Sequence, residues 1–166
     1  SPLAVVGMDT KNLPGWEFGP NGERIPVKNL NLVCMGSRYQ VLIYMPDESA
    51  ASWRIRYRKA WTRPFGIPDE VWVDEAGAAI SEEFLDQMAR DGTLVRYAAG
   101  QAHWQVGTTE RHGLDFEERF KKVLDLAQPR NRAEWEECLL ELLCAKNMML
   151  RHHGFSPAQH VFGRSP

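Results

Sequence analysis

The order in which apolar patterning changes its period constrains this chain more than any other feature. Leu3 to Met8 is a short apolar run closing at Asp9-Thr10, and it reads as a buried strand. Residues 12–26 hold Pro14, Gly15, Gly19, Pro20 and Gly22, so a loop or a wide hairpin connection is expected there. Val27 to Met35 partly alternates, Gly36-Ser37 turns the chain, and Tyr39 to Tyr44 is the next strand, which completes an antiparallel meander. The period then becomes helical. Pro46-Asp47-Glu48-Ser49 opens a helix over 49–61 with Trp53, Tyr57, Ala60 and Trp61 on one face, and Pro64, Gly66 and Pro68 are expected to end it. Val71-Trp72-Val73 is a short strand running into Asp74, Ser81 caps a helix that Gly92 stops, and Thr93 to Ala98 returns as a strand. After a loop over Gly100 to Gly107, a helix capped by Thr108 or Thr109 continues to about Ala127. Arg132 to Arg151 forms a long helix whose stripe of Trp135, Cys138, Leu139, Leu142 and Leu143 is core or partner surface, and Ser156-Pro157 starts a last short turn. This is α/β order: a mixed five-stranded sheet, its first three strands antiparallel, flanked by helices.

A chain of 166 residues supplies one domain with a real core, so residues 1–166 are read as a single domain. Net charge is -2, so affinity for nucleic acid must come from a local patch, a metal or parts of a longer protein. Cys34, Cys138 and Cys144 are odd in number and lack CxxC spacing, which argues against a disulfide framework or zinc knuckle and favours a reducing compartment. No apolar run is long enough for a membrane span. A start at Ser1 rather than Met suggests a fragment of a larger polyprotein.

Three acids stand out by position. Asp9 and Asp74 each follow an apolar strand, and Glu110 falls in the first turn of a helix, where the macrodipole favours an ionised carboxylate. Three carboxylates brought together repel one another unless a hard divalent cation neutralises them. A histidine-free oxygen set favours Mg²⁺ or Mn²⁺, and two such ions roughly 3.5–4 Å apart can promote phosphoryl transfer.

The spacing Asp9, Asp74, then 35 intervening residues to Glu110 resembles the D,D,35,E signature of retroviral and retrotransposon integrase catalytic cores. Val-Val-Gly-Met-Asp9-Thr, Val-Trp-Val-Asp74-Glu-Ala-Gly and His-Trp-Gln-Val-Gly-Thr-Thr-Glu110-Arg-His-Gly are similar to the three acid-bearing blocks of that family. The tail Gly154-Phe-Ser-Pro-Ala-Gln-His-Val-Phe-Gly-Arg164-Ser-Pro166 resembles the segment that closes the core in long-terminal-repeat retrotransposon polyproteins. The resemblance implies a ribonuclease-H-like fold and two Mg²⁺ (or Mn²⁺) ions held by Asp9, Asp74 and Glu110. It implies 3′-end processing and strand transfer of the element's DNA into target DNA, by a homodimer or higher oligomer working in the nucleus after a cytoplasmic particle stage. His103, Gln105 and Arg111 are the candidate nucleic-acid contacts around the catalytic helix. Arg54 and Arg58, between Trp53 and Trp61, belong either to a DNA contact or to a solvated helix face.

Some positions depart from the family. Asp74-Glu75-Ala76-Gly77 stands where many relatives have Asp-Asn-Gly, and alternation along a strand would turn Glu75 away from Asp74. These 166 residues hold no counterpart of the family's amino-terminal zinc module or carboxy-terminal basic domain, so His152, His153 and His160 read as surface or helix-end residues. A retired core that keeps the fold as a dimerising or chromatin-binding module is the alternative, as is a related cut-and-paste transposase.

Overall fold

The computed structural model describes residues 4–73, 81–97, 103–149 and 154–163. Five strands form one sheet in the order β3-β2-β1-β4-β5: β1 Val5–Phe18, β2 Arg24–Cys34, β3 Gln40–Tyr44, β4 Glu70–Val73 and β5 Leu94–Tyr97. β1, β2 and β3 pair antiparallel, as the meander requires, and β4 joins β1 and then β5 in parallel through the helical crossovers.

The stretch 12–26, read as a loop or a wide hairpin connection, is a hairpin, and most of it is strand. β1 and β2 run on as one long hairpin whose turn lies at 19–23. Pro14 sits opposite Pro26, a pairing possible only where the ladder needs no N–H from either residue. The register shifts between Pro14 and Phe18, and Gly15 lets the strands close there, because a Cβ on it would come 2.5 Å from the Ile25 carbonyl. Proline and glycine therefore mark an irregularity inside a hairpin rather than its end.

Side chains alternate cleanly across the sheet. Val6, Met8, Leu30, Leu32, Cys34, Val71 and Val73 face one layer of helices and join Trp53, Tyr57, Trp61, Phe84 and Met88 in a core. That layer is α1 (Ala50–Tyr57), a π-helical continuation over Arg58–Thr62, α2 (Arg63–Phe65) and α3 (Glu82–Asp91). Ser49 and Ser81 cap α1 and α3 by accepting from Ser52 and Phe84 backbone N–H groups, both at 3.2 Å. Pro64 does not end the first helix as expected. A wider turn, in which the Arg63 N–H reaches back to the Arg58 carbonyl, accommodates the ring, and the helix continues to Gly66 at φ 88°.

The other face carries Gly7, Asp9, Lys11 and Leu13 beneath α4 (His103–Ala127) and α5 (Arg132–Met149). Leu13, Leu42, Phe116, Phe120, Leu124, Trp135, Leu139 and Leu143 form its core, so the α5 stripe is interior to the fold. Trp135 donates its indole N–H to the Pro14 carbonyl at 2.8 Å, tying α5 to the hairpin irregularity. α6 (Pro157–Phe162) follows with a complete capping box between Ser156 and Gln159. Among the described residues, no helix is long and apolar enough to cross a membrane.

Candidate active site

Asp9 lies inside β1 rather than just beyond a strand, because β1 continues to Phe18. Its parallel neighbour β4 is described to Val73, which pairs with Met8, so the residues before Asp9 and Asp74 in the chain sit side by side. Asp74 and Glu75 themselves lie outside the described residues. Asp9 faces Asn31 across the antiparallel ladder, and the Asn31 amide donates to Asp9 Oδ1 at 2.9 Å.

Helix α4 brings the second described acid to this strand. The helix begins at His103, so the expected loop up to Gly107 is helical from His103 onward and Glu110 lies two turns inside. Thr108 and Thr109 are then interior residues rather than caps, and the macrodipole, which acts within the first turn, does not account for Glu110. What places Glu110 is close packing one residue earlier. Thr109 is buried against Gly7, and a Cβ on Gly7 would overlap the Thr109 hydroxyl and the Met35 methyl. One and two turns on, a Cβ on Gly113 would come 3.3 Å from the Asn31 amide nitrogen, and Glu117 pairs with Lys11 at 2.7 Å. Small residues at 7 and 113 thus let α4 lie directly on β1 and β2. Glu110 itself is exposed at the edge of this contact.

Beneath the two acids runs a buried polar row. Asn31, Gln40, Lys146 and Asn147 are each less than 5% exposed. The Asn31 amide also donates to the Thr109 carbonyl at 3.3 Å, and its oxygen accepts from Gln40 at 2.7 Å. Lys146 donates to Gln40 Oε1 and lies 2.8 Å from His112 Nδ1. Burial pushes the Lys146 ammonium down to about 7, against the attraction of Asp115. Burial, reinforced by Lys146 and Arg38, pushes His112 down to about 4, so its ring is neutral at pH 7 and accepts from Lys146.

The sheet order, the α4 crossing and the two helical layers have well-matched counterparts of known structure. A chain of the simian T-cell lymphotropic virus intasome, solved in complex with the PP2A regulatory subunit B56 gamma, superposes with a TM-score of 0.80 at 15% identity over 99% of this chain. The HTLV-2 integrase catalytic core domain in complex with magnesium gives 0.76 at 14% identity, with 96% of this chain and 97% of that one covered. The BIV integrase catalytic core domain gives 0.74 at 13% identity, with 97% and 95% covered. This is the ribonuclease-H-like integrase-core fold. The present chain spans 55% of the length of the matched intasome chain, close to the whole of the two isolated core domains. No protein-family model and no curated protein matches the sequence.

Within the integrase-core fold, the structure brings Asp9 and the Glu110-bearing turn of α4 together through Gly7, Asn31 and Thr109. Arg111 is exposed next to Glu110. The backbone of His103 and Gln105 is helical, and their side chains lie outside the described residues. Arg54 and Arg58 are not brought to the acids, since α1 and its continuation cover the opposite face of the sheet. His152 and His153 lie outside the described residues, and His160 is half-buried beside the Phe155 ring. Among the described residues no three His, Cys, Asp or Glu side chains gather into a metal-holding group. Reading the sequence for acids missed Asn31, Gln40, His112, Lys146 and Asn147. The available signal was the row of asparagines at 29 and 31, alternating with leucines in an otherwise apolar strand.

Proposed function

We propose that the chain is the catalytic core of a retrotransposon integrase, a metal-dependent polynucleotidyl transferase that processes 3′ DNA ends and joins them to target DNA. The observation that carries the reading is the packing of the Glu110 turn onto the Asp9 strand, in a fold matched along nearly its whole length by integrase cores. The residues present suit a hard divalent cation. Asp9 is a half-buried carboxylate oriented by an amide donor, and the donors proposed beside it, Asp74 and Glu110, are also oxygen ligands. The HTLV-2 core was solved with magnesium, which supports the same choice here.

Asp9, Asp74 and Glu110 would hold the ions. Bound Mg²⁺ or Mn²⁺ would supply Lewis acidity toward the attacking and leaving oxygens of an in-line phosphoryl transfer. The protein's own part is positional. β1 fixes Asp9, the Gly7–Thr109 contact fixes the helix that presents Glu110, and that exposed carboxylate leaves room for a DNA backbone. Arg111, with His103 and Gln105, would meet the DNA end. The solved dimeric and trimeric forms of the HTLV-2 core support assembly of this chain into a dimer or higher oligomer. DNA joining in the nucleus is part of the proposal.

The test is a joining and nicking assay on labelled duplex oligonucleotides with Mn²⁺, comparing the wild-type chain with Glu110→Gln. Product that the variant fails to make supports the reading. Equal product from both proteins, or Mn²⁺-independent product, refutes it.

A further inference from the structure

We infer that Asn31 and Gln40 are positioning residues: a hydrogen-bond chain with one allowed polarity holds the Asp9 carboxylate and the Glu110 turn of α4 in fixed relation. The inference rests on the metal-dependent reading above and concerns how its site is held.

The polarity is set from both ends. As an ammonium, Lys146 Nζ can only donate, and it donates to Gln40 Oε1 and lies 2.8 Å from His112 Nδ1. Gln40 must therefore turn its Nε2 toward Asn31, which accepts at 2.7 Å. At the far end, an ionised Asp9 carboxylate and the Thr109 carbonyl can only accept. Asn31 meets both with the two hydrogens of its Nδ2, at 2.9 Å and 3.3 Å. Each amide in the row thus has one orientation that satisfies its neighbours, and the reverse would set acceptor against acceptor.

Gln40 is itself clamped. Its backbone N–H donates to Asn147 Oδ1 at 2.9 Å, and Asn147 Nδ2 donates to its carbonyl at 2.8 Å. On the edge strand β3, the Asn147 side chain takes the place a further strand would occupy. Two successive residues near the end of α5 thereby read one residue of β3, and β3 passes the constraint to the acids. Because a single nitrogen of Asn31 holds both Asp9 and the carbonyl before Glu110, rotation of that amide disturbs both ligands at once. Partners of this kind behind a metal ligand orient it, and losing one commonly costs about 10–100-fold in metal affinity.

Gln40→Glu tests the polarity with almost no change of shape. The new carboxylate still accepts from Lys146, and when ionised it has no hydrogen for Asn31. Asn31 must then turn its oxygen against Asp9 and Thr109. Gln40→Met removes the donor without forcing that turn, while also discarding the Lys146 bond. Mn²⁺ binding is measured by calorimetry, beside thermal melts, for the wild-type chain, Asp9→Asn, Gln40→Glu and Gln40→Met. The inference expects both Gln40 variants to melt lower than the wild type, with Gln40→Glu binding Mn²⁺ about 10–100-fold more weakly and Gln40→Met losing clearly less. Equal losses in the two Gln40 variants, or wild-type binding by Gln40→Glu when Asp9→Asn abolishes it, would overturn the inference and leave the site reading standing. Wild-type Mn²⁺ binding that is absent, or indifferent to Asp9→Asn, would sink the reading and the inference with it. If Gln40→Glu does not fold, the side-chain amide of Asn31 in the wild-type chain decides by nitrogen-15 NMR. Two distinct, slowly exchanging protons support the chain of bonds, and rapidly exchanging or averaged ones overturn it.

Discussion

Replacing Gly7 with alanine tests the contact on which the site depends. A Cβ there would overlap the Thr109 hydroxyl and the Met35 methyl, and would lie 3.2 Å from the Thr109 Cβ. Met35 is a flexible side chain and can move aside, whereas Thr109 belongs to the buried face of α4 and carries the helix with it. Inserting a methyl group into a packed contact of this kind costs about 1–3 kcal/mol. For a chain of this length that is a fall in Tm of about 2–12 °C. Removing the Thr109 hydroxyl should restore part of the loss, so Gly7→Ala and Thr109→Ala should couple favourably by about 0.5–3 kcal/mol in a double-mutant cycle. The functional cost should exceed the stability cost, because a displacement of about 1 Å in a catalytic group is worth on the order of a hundredfold in rate. Thermal melts of the four proteins, followed by Mn²⁺-dependent nicking at a temperature where all are folded, measure both. Strict additivity, with Gly7→Ala melting within about 1 °C of the wild type, would refute the claim that α4 lies on Gly7.

Other consequences follow from the buried row and the core. His112 falls from an ordinary 6.5 to about 4 and Lys146 from 10.5 to about 7, so the unfolded chain binds more protons across both windows. Stability should therefore rise with pH from about 4 to 6.5 and again above about 7, and His112→Phe should flatten the acid limb of a Tm-against-pH curve. Asn147→Ala leaves the Gln40 N–H and carbonyl without the partners they have now, and should cost about 2–5 kcal/mol in denaturant unfolding. Trp135→Ala empties the centre of the second core and breaks the bond to Pro14, for a loss of about 3–5 kcal/mol. Arg96→Ala removes a partly exposed pair between β5 and Glu70 of β4 and should change stability by less than about 1 kcal/mol.

Much of the framework was legible because local patterning and tertiary packing agree. The alternation in 27–35 and 39–44, the helix starts at Ser49 and Ser156, the cap at Ser81 and the stop at Gly92 all stand where the sequence put them. Local signals misled in three places, only the first of them through a long-range contact. Pro14 and Gly15 signal a loop, yet the hairpin absorbs them because Pro26 and Ile25 across the ladder accommodate them. Pro64 signals a helix end, yet a π-turn carries the helix past it. Gly107 marked a loop before a helix, yet nothing approaches within 4 Å of the place its Cβ would take, and α4 runs through it. Asp9, Asp74 and Glu110 stood out in the sequence because acids in those blocks, together with the tail, resemble a known pattern. Asn31, Gln40, Lys146 and Asn147 carry meaning only as a row assembled from three elements up to 116 positions apart, which no linear pattern displays.

The measurement that bears most directly on the central claim is calorimetric titration of Mg²⁺ and Mn²⁺ into four proteins: the wild-type chain, Asp9→Asn, Asp74→Asn and Glu110→Gln. The account predicts saturable binding by the wild type that each single variant weakens at least about tenfold. Binding that survives all three substitutions unchanged would show that these acids do not share a metal site, and the integrase reading would fall.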